Sequence, residues 1–337
     1  MNAERRNWAL AIAALCAVPL VVTNNYFLHV MVLIFIWSFI YTSWSLMGRF
    51  GLVSFGHGAF MGIGAYVVTM LWNYQGLSPW LGIPIAVVLA MGLAVLIGYP
   101  CFRFRITGHY FALVTLALTE VVRSVIVALR DTTGGSLGVT PASTLKEGVT
   151  WSITALQFAD KRVFFYIAMA LWLLGLWVWQ RIDRSMIRYA MQAISQEEDA
   201  AASVGVGVTR AKLTITVVSA AMTALGGALY GQYQQYINPE TVASIGVSLQ
   251  IVFAVIAGGM FVKLGPTVGA VFTLLLTEGL RVGIGNKFNA LDSTIYGALL
   301  VLFIIYMPSG ILGKITQIWR PTSSGTAPPP AAPATGA

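Results

Sequence analysis

Long apolar runs fill most of the chain, and short polar breaks that contain glycine, proline or arginine separate them. A helix needs about 20 mostly apolar residues to cross a bilayer, and these runs approach that length instead of alternating as strands do. The pattern predicts an all-α integral membrane protein of about ten transmembrane helices, at residues 8–22, 26–47, 59–72, 80–99, 110–128, 163–180, 213–232, 247–262, 266–282 and 294–306.

The composition agrees with this prediction. Hydrophobic residues make up 57% of the chain and charged residues 9%, against about 25% charged residues in a soluble domain. A soluble enzyme is therefore excluded. The net charge of +8 is better explained by basic residues kept on the cytoplasmic side of a membrane than by nucleic-acid binding. The orientation that places the basic segment 181–212 inside predicts that both termini face the cytoplasm.

The spans and their loops predict one transmembrane domain over residues 1–320. Its outer loop, 130–162, alternates apolar and polar residues near its end, which indicates a short amphipathic element at the membrane surface. Its inner loop, 181–212, carries the densest basic cluster. Residues 321–337 are mostly Pro, Ala, Thr, Ser and Gly, and this composition predicts a disordered cytoplasmic tail.

One predicted span carries charges within the membrane. Glu120 lies near the middle of its span, where an ionised carboxylate is costly unless it is paired or faces water. Arg123 follows three residues later and can reach it. Thr115, Thr119 and Arg123 recur every four residues, so they share one helix stripe. The stripe either fixes helix packing or borders a permeation path, and the spacing does not decide between the two.

Residues 115–123 have a partial copy at 273–281, with Thr, Leu, Leu, Thr, Glu and Arg at matching positions. Both copies lie on spans predicted to run outward. The match therefore predicts an internal repeat of parallel rather than inverted topology.

Residues 51–64 are too rich in glycine and polar side chains for a continuous helix. Irregular backbone at membrane depth is stable only where protein or a water-filled cavity satisfies its polar groups. The segment is therefore predicted to line the path or an interface, with Ser54, Phe55 and His57 as candidate path residues. A lone histidine such as His57 is more often structural than a proton carrier.

Several kinds of chemistry are missing from the sequence. It has no Gly-x-x-x-x-Gly-Lys-Ser/Thr loop for ATP, and its histidines and cysteines are too scattered for a metal site. Residues 134–138 match Gly-x-Ser-x-Gly, but no histidine follows His109 to complete a nucleophilic triad. We expect no enzymatic activity and no metal or cofactor bound by this chain.

The inner loop contains an acidic residue, a smooth alanine surface and a glycine in close succession. Such a segment suits a short helix that fits a groove on a partner protein, although an alanine-rich helix could also pack only on its own loop. The candidate docking residues are Gln196, Glu197, Glu198, Asp199, Ala200, Ala201 and Gly205.

This segment resembles the coupling-helix motif of ABC importer permeases, Glu-Ala-Ala followed after three residues by Gly, with Asp199 in place of the Glu. Over residues 26–313 the chain is similar to the branched-chain amino-acid ABC permeases, and in particular to the longer, M-type subunit. The matching motifs are Ser-Phe-Gly-His-Gly-Ala-Phe at 54–60, Gly-Ala-Tyr at 64–66, Thr-Gly-Gly at 133–135, Ala-Ile at 193–194, Gly-Gly-Ala-Leu-Tyr at 226–230 and Asn-Pro-Glu at 238–240.

The resemblance implies a permease subunit of an ABC importer in a bacterial inner membrane, with branched-chain or other hydrophobic amino acids as cargo. It implies four kinds of partner: a homologous H-type permease, two cytoplasmic ATPases that use ATP, a periplasmic substrate-binding protein and membrane lipid. Nucleic acid is not expected. The outer loop would dock the binding protein through Lys146, Lys161 and Arg162.

Two alternatives remain open. A sugar-type ABC permease has a related architecture. A self-contained secondary transporter or channel would use Glu120 and His57 as ion-coupling groups, but it would need no exposed docking helix.

Overall fold

The computed structural model describes residues 3–22, 24–144, 151–283, 297–298 and 310–319. Most of these residues are helical. The helices are α1 Ala3–Val21, α2 Asn25–Gly48, α3 His57–Gln75, α4 Pro79–Arg103, α5 Gly108–Ala128, α6 Arg130–Thr133, α7 Lys161–Asp183, α8 Met186–Gln196, α9 Glu198–Ser203, α10 Val208–Gln234, α11 Pro239–Val242, α12 Ile245–Gly258, α13 Gly265–Gly283 and α14 Gly310–Trp319.

Six stretches in the described part of the chain are long and apolar enough to cross a membrane. They are α2, α4, α5, α7, α10 and the pair α11–α12, which together cover Pro239–Gly258. These stretches confirm an all-α, multi-pass membrane protein, whereas the predicted number of about ten spans is not confirmed. Almost all of the predicted span 294–306 and the whole predicted tail 321–337 lie outside the described residues.

Helix α2 is the centre of the bundle. In its most apolar 18-residue stretch, 83% of the residues are buried. Helices α7, α10, α12 and α13 all pack against it. Phe39, Ile40, Tyr41 and Trp44 are at most 1% exposed. Because α2 is apolar around its whole circumference, it can pack against neighbours in every direction.

Helices α3 and α10 cross at glycines. A Cβ atom added at Gly64 would overlap the backbone of Ala224, and one added at Gly227 would overlap the backbone of Met61. Small residues let membrane helices approach closely enough for their backbones to touch. The sequence of α3 is therefore rich in glycine because of packing.

This packing corrects the prediction that residues 51–64 form no continuous helix. Only the part before His57 is irregular, and α3 runs unbroken from His57 to Gln75. The cost of glycine in a helix, about 1 kcal/mol per residue relative to alanine, is offset here by contacts that a larger residue would prevent.

The bundle contains two units of opposite direction. Helices α2 and α10 are antiparallel, because Ser43 contacts Thr223 whereas His29, earlier in α2, contacts Tyr233, later in α10. Helix α4 packs on α3 and α10, and α13 packs in the corresponding way on α12 and α2. The units α2–α3–α4 and α10–α12–α13 are thus related as an inverted repeat.

The two similar sequences predicted as a parallel repeat lie on α5 and α13, which both start at the end where α2 finishes, so they run in the same direction as predicted. They are not equivalent in the bundle, since α5 packs on α3 and α12 whereas α13 packs on α2 and α12. A short match of threonine and leucine at helical spacing does not determine what a helix contacts.

Residues 151–158, which are predicted to form a short amphipathic surface element, form a β-hairpin. Strand β1, Trp151–Ser152, pairs antiparallel with β2, Gln157–Phe158. The Gln157 side chain is 2% exposed and accepts a hydrogen bond from the Thr144 N–H at 2.9 Å. An isolated bridge between Val139 and Ile237 also joins this loop to the connection after α10.

Candidate functional site

Nine lysine and arginine residues lie at one end of the bundle, which we call the basic end. It comprises the connections α2–α3 and α4–α5, the segment from the end of α7 to the start of α10, and the α12–α13 turn. Its basic residues are Arg49, Arg103, Arg105, Arg181, Arg184, Arg188, Arg210, Lys212 and Lys263.

Residues 50–56, the entry segment, leave the basic end after α2 and run back into the bundle. The Trp44 indole N–H donates to the Ser54 carbonyl at 2.8 Å. The Phe55 N–H donates to Thr115 Oγ1 at 3.0 Å, and Thr119 Oγ1 donates to the Phe55 carbonyl at 2.7 Å. Two hydroxyls one turn apart on α5 therefore satisfy both backbone groups of Phe55, as irregular backbone inside a membrane requires.

Helix α3 begins inside the bundle, at the end of the entry segment. The Gly58 N–H donates to Ser248 Oγ on α12 at 2.9 Å, and His57 Nε2 lies 2.8 Å from Ser219 Oγ on α10. His57 is 0% exposed. These contacts join α3, α10 and α12 at one point, with α5 beside it.

The structure buries four of the predicted path residues within the chain. Ser54 and Thr115 are 2% and 5% exposed, and His57 and Thr119 are 0% exposed, whereas Phe55 is half-buried. The four contact the entry segment or neighbouring helices. Their place along a path stays a prediction, and their visible contacts hold irregular backbone in position.

Helix α5 turns its opposite face outward. Leu113, Val121 and Val125 are 61%, 58% and 50% exposed, and Ala117 and Ser124 are also exposed. The side chains of Glu120 and Arg123 are 41% and 31% exposed at the border of this face. A charged pair on an exposed face of a membrane helix is costly against hydrocarbon.

Arg123 joins two carboxylates, and we call Glu120, Arg123 and Glu240 the charge cluster. The predicted contact within α5 is confirmed: Arg123 Nη2 lies 2.6 Å from Glu120 Oε1, and Nε donates to both Glu120 oxygens at 3.1 Å. Arg123 Nη1 lies 2.8 Å from Glu240 Oε1 on α11, whose side chain is 68% exposed. Sequence analysis missed Glu240 as a charged partner.

Local structure explains why Glu240 points to α5. Asn238 caps α11 through a capping box, in which its side chain accepts from the Thr241 N–H at 2.8 Å. Pro239 fixes the first turn of the helix. The Asn-Pro-Glu motif carried this signal, because an N-cap followed by proline fixes where the next side chain starts.

At the basic end, α8 and α9 lie one after the other outside the bundle. The predicted docking helix at 196–205 is shorter than expected, since α9 covers only Glu198–Ser203. Ala201 is 4% exposed and packs on the chain itself, whereas Ala200 and Ala202 are exposed. The remaining predicted docking residues, Gln196, Glu197, Asp199 and Gly205, are exposed, and Glu198 is half-buried.

Ion pairs fasten α9 to two places in the bundle. Glu198 pairs at 2.5 Å with Lys212, which is 3% exposed near the start of α10. Asp199 pairs at 2.8 Å with Arg105 in the turn between α4 and α5. The second pair is largely exposed and contributes little stability by itself. It nevertheless connects α9 to the turn that leads into α5, the helix that carries Glu120 and Arg123.

Arg49, directly after α2, anchors the end of α7. Its guanidinium lies 4.4 Å from the Trp179 ring centre and 3.2 Å from Asp183. Asp183 also pairs with Arg188 at 3.2 Å. Burial lowers the pKa of Arg49 to about 10, and the Asp183 carboxylate opposes that shift. Arg49 therefore remains charged at neutral pH.

Three large, exposed apolar side chains on α8 and just after α9 were not predicted from the sequence. Met186 and Tyr189 on α8 are 80% and 61% exposed, and Val204 after α9 is 80% exposed. The signal was present in α8, where Met186, Tyr189 and Ala193 follow helical spacing on one face. Large exposed apolar side chains close together outside a membrane span are typical of a docking surface.

At the opposite end, two of the predicted binding-protein contacts are described. Lys161 and Arg162 start α7 and are half-buried. Lys161 Nζ donates to the Asn25 carbonyl at 3.4 Å, and the Arg162 N–H donates to Asp160 at 2.8 Å. Lys146 lies outside the described residues. The described residues contain no group of His, Cys, Asp and Glu side chains suited to a metal.

The fold and these two surfaces define a multi-pass membrane protein with a charged pair at the border of one exposed helix face and two small helices beyond the apolar spans at its basic end. The chain belongs to the family described as branched-chain amino acid transport system / permease component, whose model matches residues 26–304. No solved structure matches it.

Curated relatives agree with this family. The chain is 32% identical over 285 residues to the high-affinity branched-chain amino acid transport system permease protein LivM of Escherichia coli K12, covering 79% of this chain and 65% of the relative. It is 28% identical over 290 residues to LivH of the same organism, covering 79% and 87%. A probable LivM of Methanocaldococcus jannaschii is 20% identical over 294 residues, 82% of each chain. The matched segment spans 65% of the Escherichia coli LivM length, which is less than two-thirds.

Proposed function

We propose that this chain is a permease subunit of an ABC importer and forms part of the translocation path for branched-chain or other hydrophobic amino acids. Family membership supports the class, and the names of the relatives support the cargo. The observation that carries the assignment within the molecule is the exposed face of α5 with its charge cluster.

The proposed location is a bacterial inner membrane, with the basic end in the cytoplasm. Positively charged residues are retained on the cytoplasmic side of membrane proteins, and the connections at that end hold seven arginines and two lysines. This orientation places both termini in the cytoplasm and the segment 130–162 in the periplasm.

The α5 face is the proposed boundary of the path. Charges at this depth need water or protein around them, so a homologous H-type permease and the path between the two subunits would cover this face. Ser54, Phe55, His57, Thr115 and Thr119 lie directly behind it. They would hold the entry segment against α5 while the path opens and closes.

Coupling to two cytoplasmic ATPases is proposed for α8 and α9. Exposed apolar side chains there, Met186, Tyr189 and Val204, offer contact area. The ion pairs of Asp199 with Arg105 and of Glu198 with Lys212 would transmit movement of α9 to α5 and α10. ATP would be bound by the partner subunits.

A substitution at the docking surface tests this coupling. Val204→Glu should leave membrane insertion intact but uncouple ATP hydrolysis from uptake, because it puts a charge into an apolar contact. Ala201 is unsuitable for this purpose, since its burial means that Ala201→Trp would disturb α9 itself. Val204→Leu is the matched control. If uptake in Val204→Glu stays normally coupled to ATP hydrolysis, the proposed contact between α9 and the ATPase is wrong.

The segment 130–162 would dock the loaded binding protein. Lys146, Lys161 and Arg162 carry positive charge there and would meet acidic patches on that partner. Replacing all three with Gln should weaken docking more at low salt than at high salt, as measured by binding-protein retention on the assembled transporter.

Uptake of labelled leucine by the assembled transporter tests the whole assignment. Leucine uptake should require this chain, its binding protein and ATP. Transport of a sugar and not of leucine would favour the sugar-type permease. Leucine transport by the purified chain alone, driven by an ion gradient, would favour a secondary transporter.

A further inference from the structure

We propose that the charge cluster binds the ammonium and carboxylate groups of a free amino acid as it enters the path from the periplasm. This proposal rests on the proposed path along α5. It names the chemistry that Glu120, Arg123 and Glu240 would recognise there: a zwitterion with an apolar side chain.

The charges of the cluster do not cancel. Two carboxylates face one guanidinium, so one negative charge is in excess and is available to an ammonium group. A cluster that served only to neutralise buried charge would need one carboxylate for each guanidinium.

Two N–H groups of the Arg123 guanidinium also make no hydrogen bond within the described residues. Arginine has five N–H groups, and among the described residues Arg123 uses one on Nε and one on Nη2 for Glu120 and one on Nη1 for Glu240. One N–H on each Nη nitrogen therefore remains for a carboxylate. Arginine binds carboxylates well because its donors match the spacing of the two oxygens.

The surroundings of the cluster fit the rest of such a molecule. Val121 and Val125 are exposed beside it on α5, and they offer apolar contact to an aliphatic side chain. Ser124, one turn beyond Glu120, is exposed as well. A neutral sugar could form hydrogen bonds to these charged groups but no ion pair with them.

The position of the cluster fits an entry site. Helix α5 starts at the basic end and rises about 1.5 Å per residue, so Arg123 lies roughly 8 Å from the other end of the helix at Ala128. A molecule delivered from that side would meet Arg123 within the last two turns of α5, the turns nearest that end.

Protection of a nearby thiol tests the proposal without the binding protein. The assembled transporter, in vesicles of neutral phospholipid, would carry Ser124→Cys in a background of Cys16→Ala and Cys101→Ala. A small water-soluble thiol reagent would be applied with leucine, with 4-methylpentanoate, which lacks the ammonium, or with 3-methylbutylamine, which lacks the carboxylate. Leucine should slow labelling, and neither single-charge analogue should do so at the same concentration.

Variants of the cluster locate the effect. Arg123→Lys keeps the positive charge but loses the planar pair of N–H donors that binds both carboxylate oxygens. Glu240→Gln removes the excess negative charge. Each should raise the leucine concentration needed for protection by about tenfold or more, since a hydrogen bond to a charged group contributes at that scale. Arg130→Lys, at the same end of the bundle but outside the cluster, is the matched control and should behave as the parent.

The results separate this proposal from the function on which it rests. If the introduced thiol is labelled but leucine gives no protection, or protects equally in Arg123→Lys and Glu240→Gln, the cluster does not bind the cargo, while leucine uptake would still support the permease. If the Ser124→Cys thiol reacts only with a lipid-soluble reagent, the α5 face is against lipid, and both the cluster site and the proposed path are wrong.

Discussion

Helices α4 and α5 are equally exposed, yet they expose different chemistry. In the most apolar 18-residue stretch of each helix, only 28% of the residues are buried within the chain. The open face of α4 is apolar, with Val88, Leu89 and Leu96 between Trp80 and Tyr99 near its two ends. Aromatic residues at both ends and aliphatic residues between them are typical of a helix in contact with lipid.

The open face of α5 instead borders the charge cluster and includes the small residues Ala117 and Ser124. Charge is costly in hydrocarbon, and small residues favour close approach between helices. The comparison teaches that exposure alone does not identify a membrane face, because the side chains must match the surroundings. We infer that α4 faces lipid and α5 faces a second subunit and the path.

The largest expected effect comes from a charge on α4. Leu89→Arg would put a guanidinium into the middle of the lipid-facing surface, at a cost of about 3 kcal/mol. The amount of folded protein in the membrane should fall sharply, as measured by detergent extraction and gel filtration. Ala117→Arg, at similar depth on α5, can pair with Glu120 three residues away and should retain more folded protein. Equal losses would break the distinction between the two faces.

Added bulk should give a smaller effect, with the order of the helices reversed. Ala117→Trp would prevent close contact with a neighbouring subunit, and overpacking of this kind costs roughly 1–3 kcal/mol. Leucine uptake by the assembled transporter should fall about tenfold, because about 1.4 kcal/mol corresponds to that factor. Leu96→Trp on α4 should leave uptake nearly unchanged, since lipid rearranges around it. A stronger loss in Leu96→Trp would mean that α4 is the subunit contact.

Substitutions on the buried faces of α4 and α5 should have the smallest effect of the three. Helix α4 packs on α10 through Ala90 and Ala94, whereas α5 uses hydroxyls. Thr119→Val should leave the Phe55 carbonyl without its donor and reduce thermal stability by about 1–2 kcal/mol. Thr119→Ser keeps the hydroxyl and should cost less. Equal stability of Thr119→Val and the parent, by thermal unfolding in detergent, would show that the Phe55 carbonyl has another partner.

The membrane class and most helices could be predicted from the sequence, because apolar length is a local property. The contact between Glu120 and Arg123 was also predictable, since three residues on a helix place the side chains together. The inverted repeat was not, because orientation depends on packing across the whole bundle. The copy of residues 115–123 at 273–281 lies on helices that run in the same direction but have different packing partners.

The candidate site was only partly predictable for the same reason. Glu240 joins Arg123 across 117 positions of sequence separation, which no local pattern encodes. Ala201 belongs to the docking motif but is buried, because it lies on the side of α9 that packs against this chain's own core. The glycines of α3 resembled a break, although their packing partners on α10 and the α11–α12 segment are distant in sequence.

The central claim, that α5 and not α4 meets the second permease, can be tested most directly by cross-linking. A photoreactive benzoylphenylalanine would replace Val121 on α5 or Leu89 on α4, which are 58% and 51% exposed. The assembled transporter would then be irradiated in its native membrane and the adducts identified by mass. We predict that the probe at Val121 joins this chain to a second permease subunit, whereas the probe at Leu89 gives only lipid adducts. A permease adduct at Leu89 with only lipid adducts at Val121 would contradict the account.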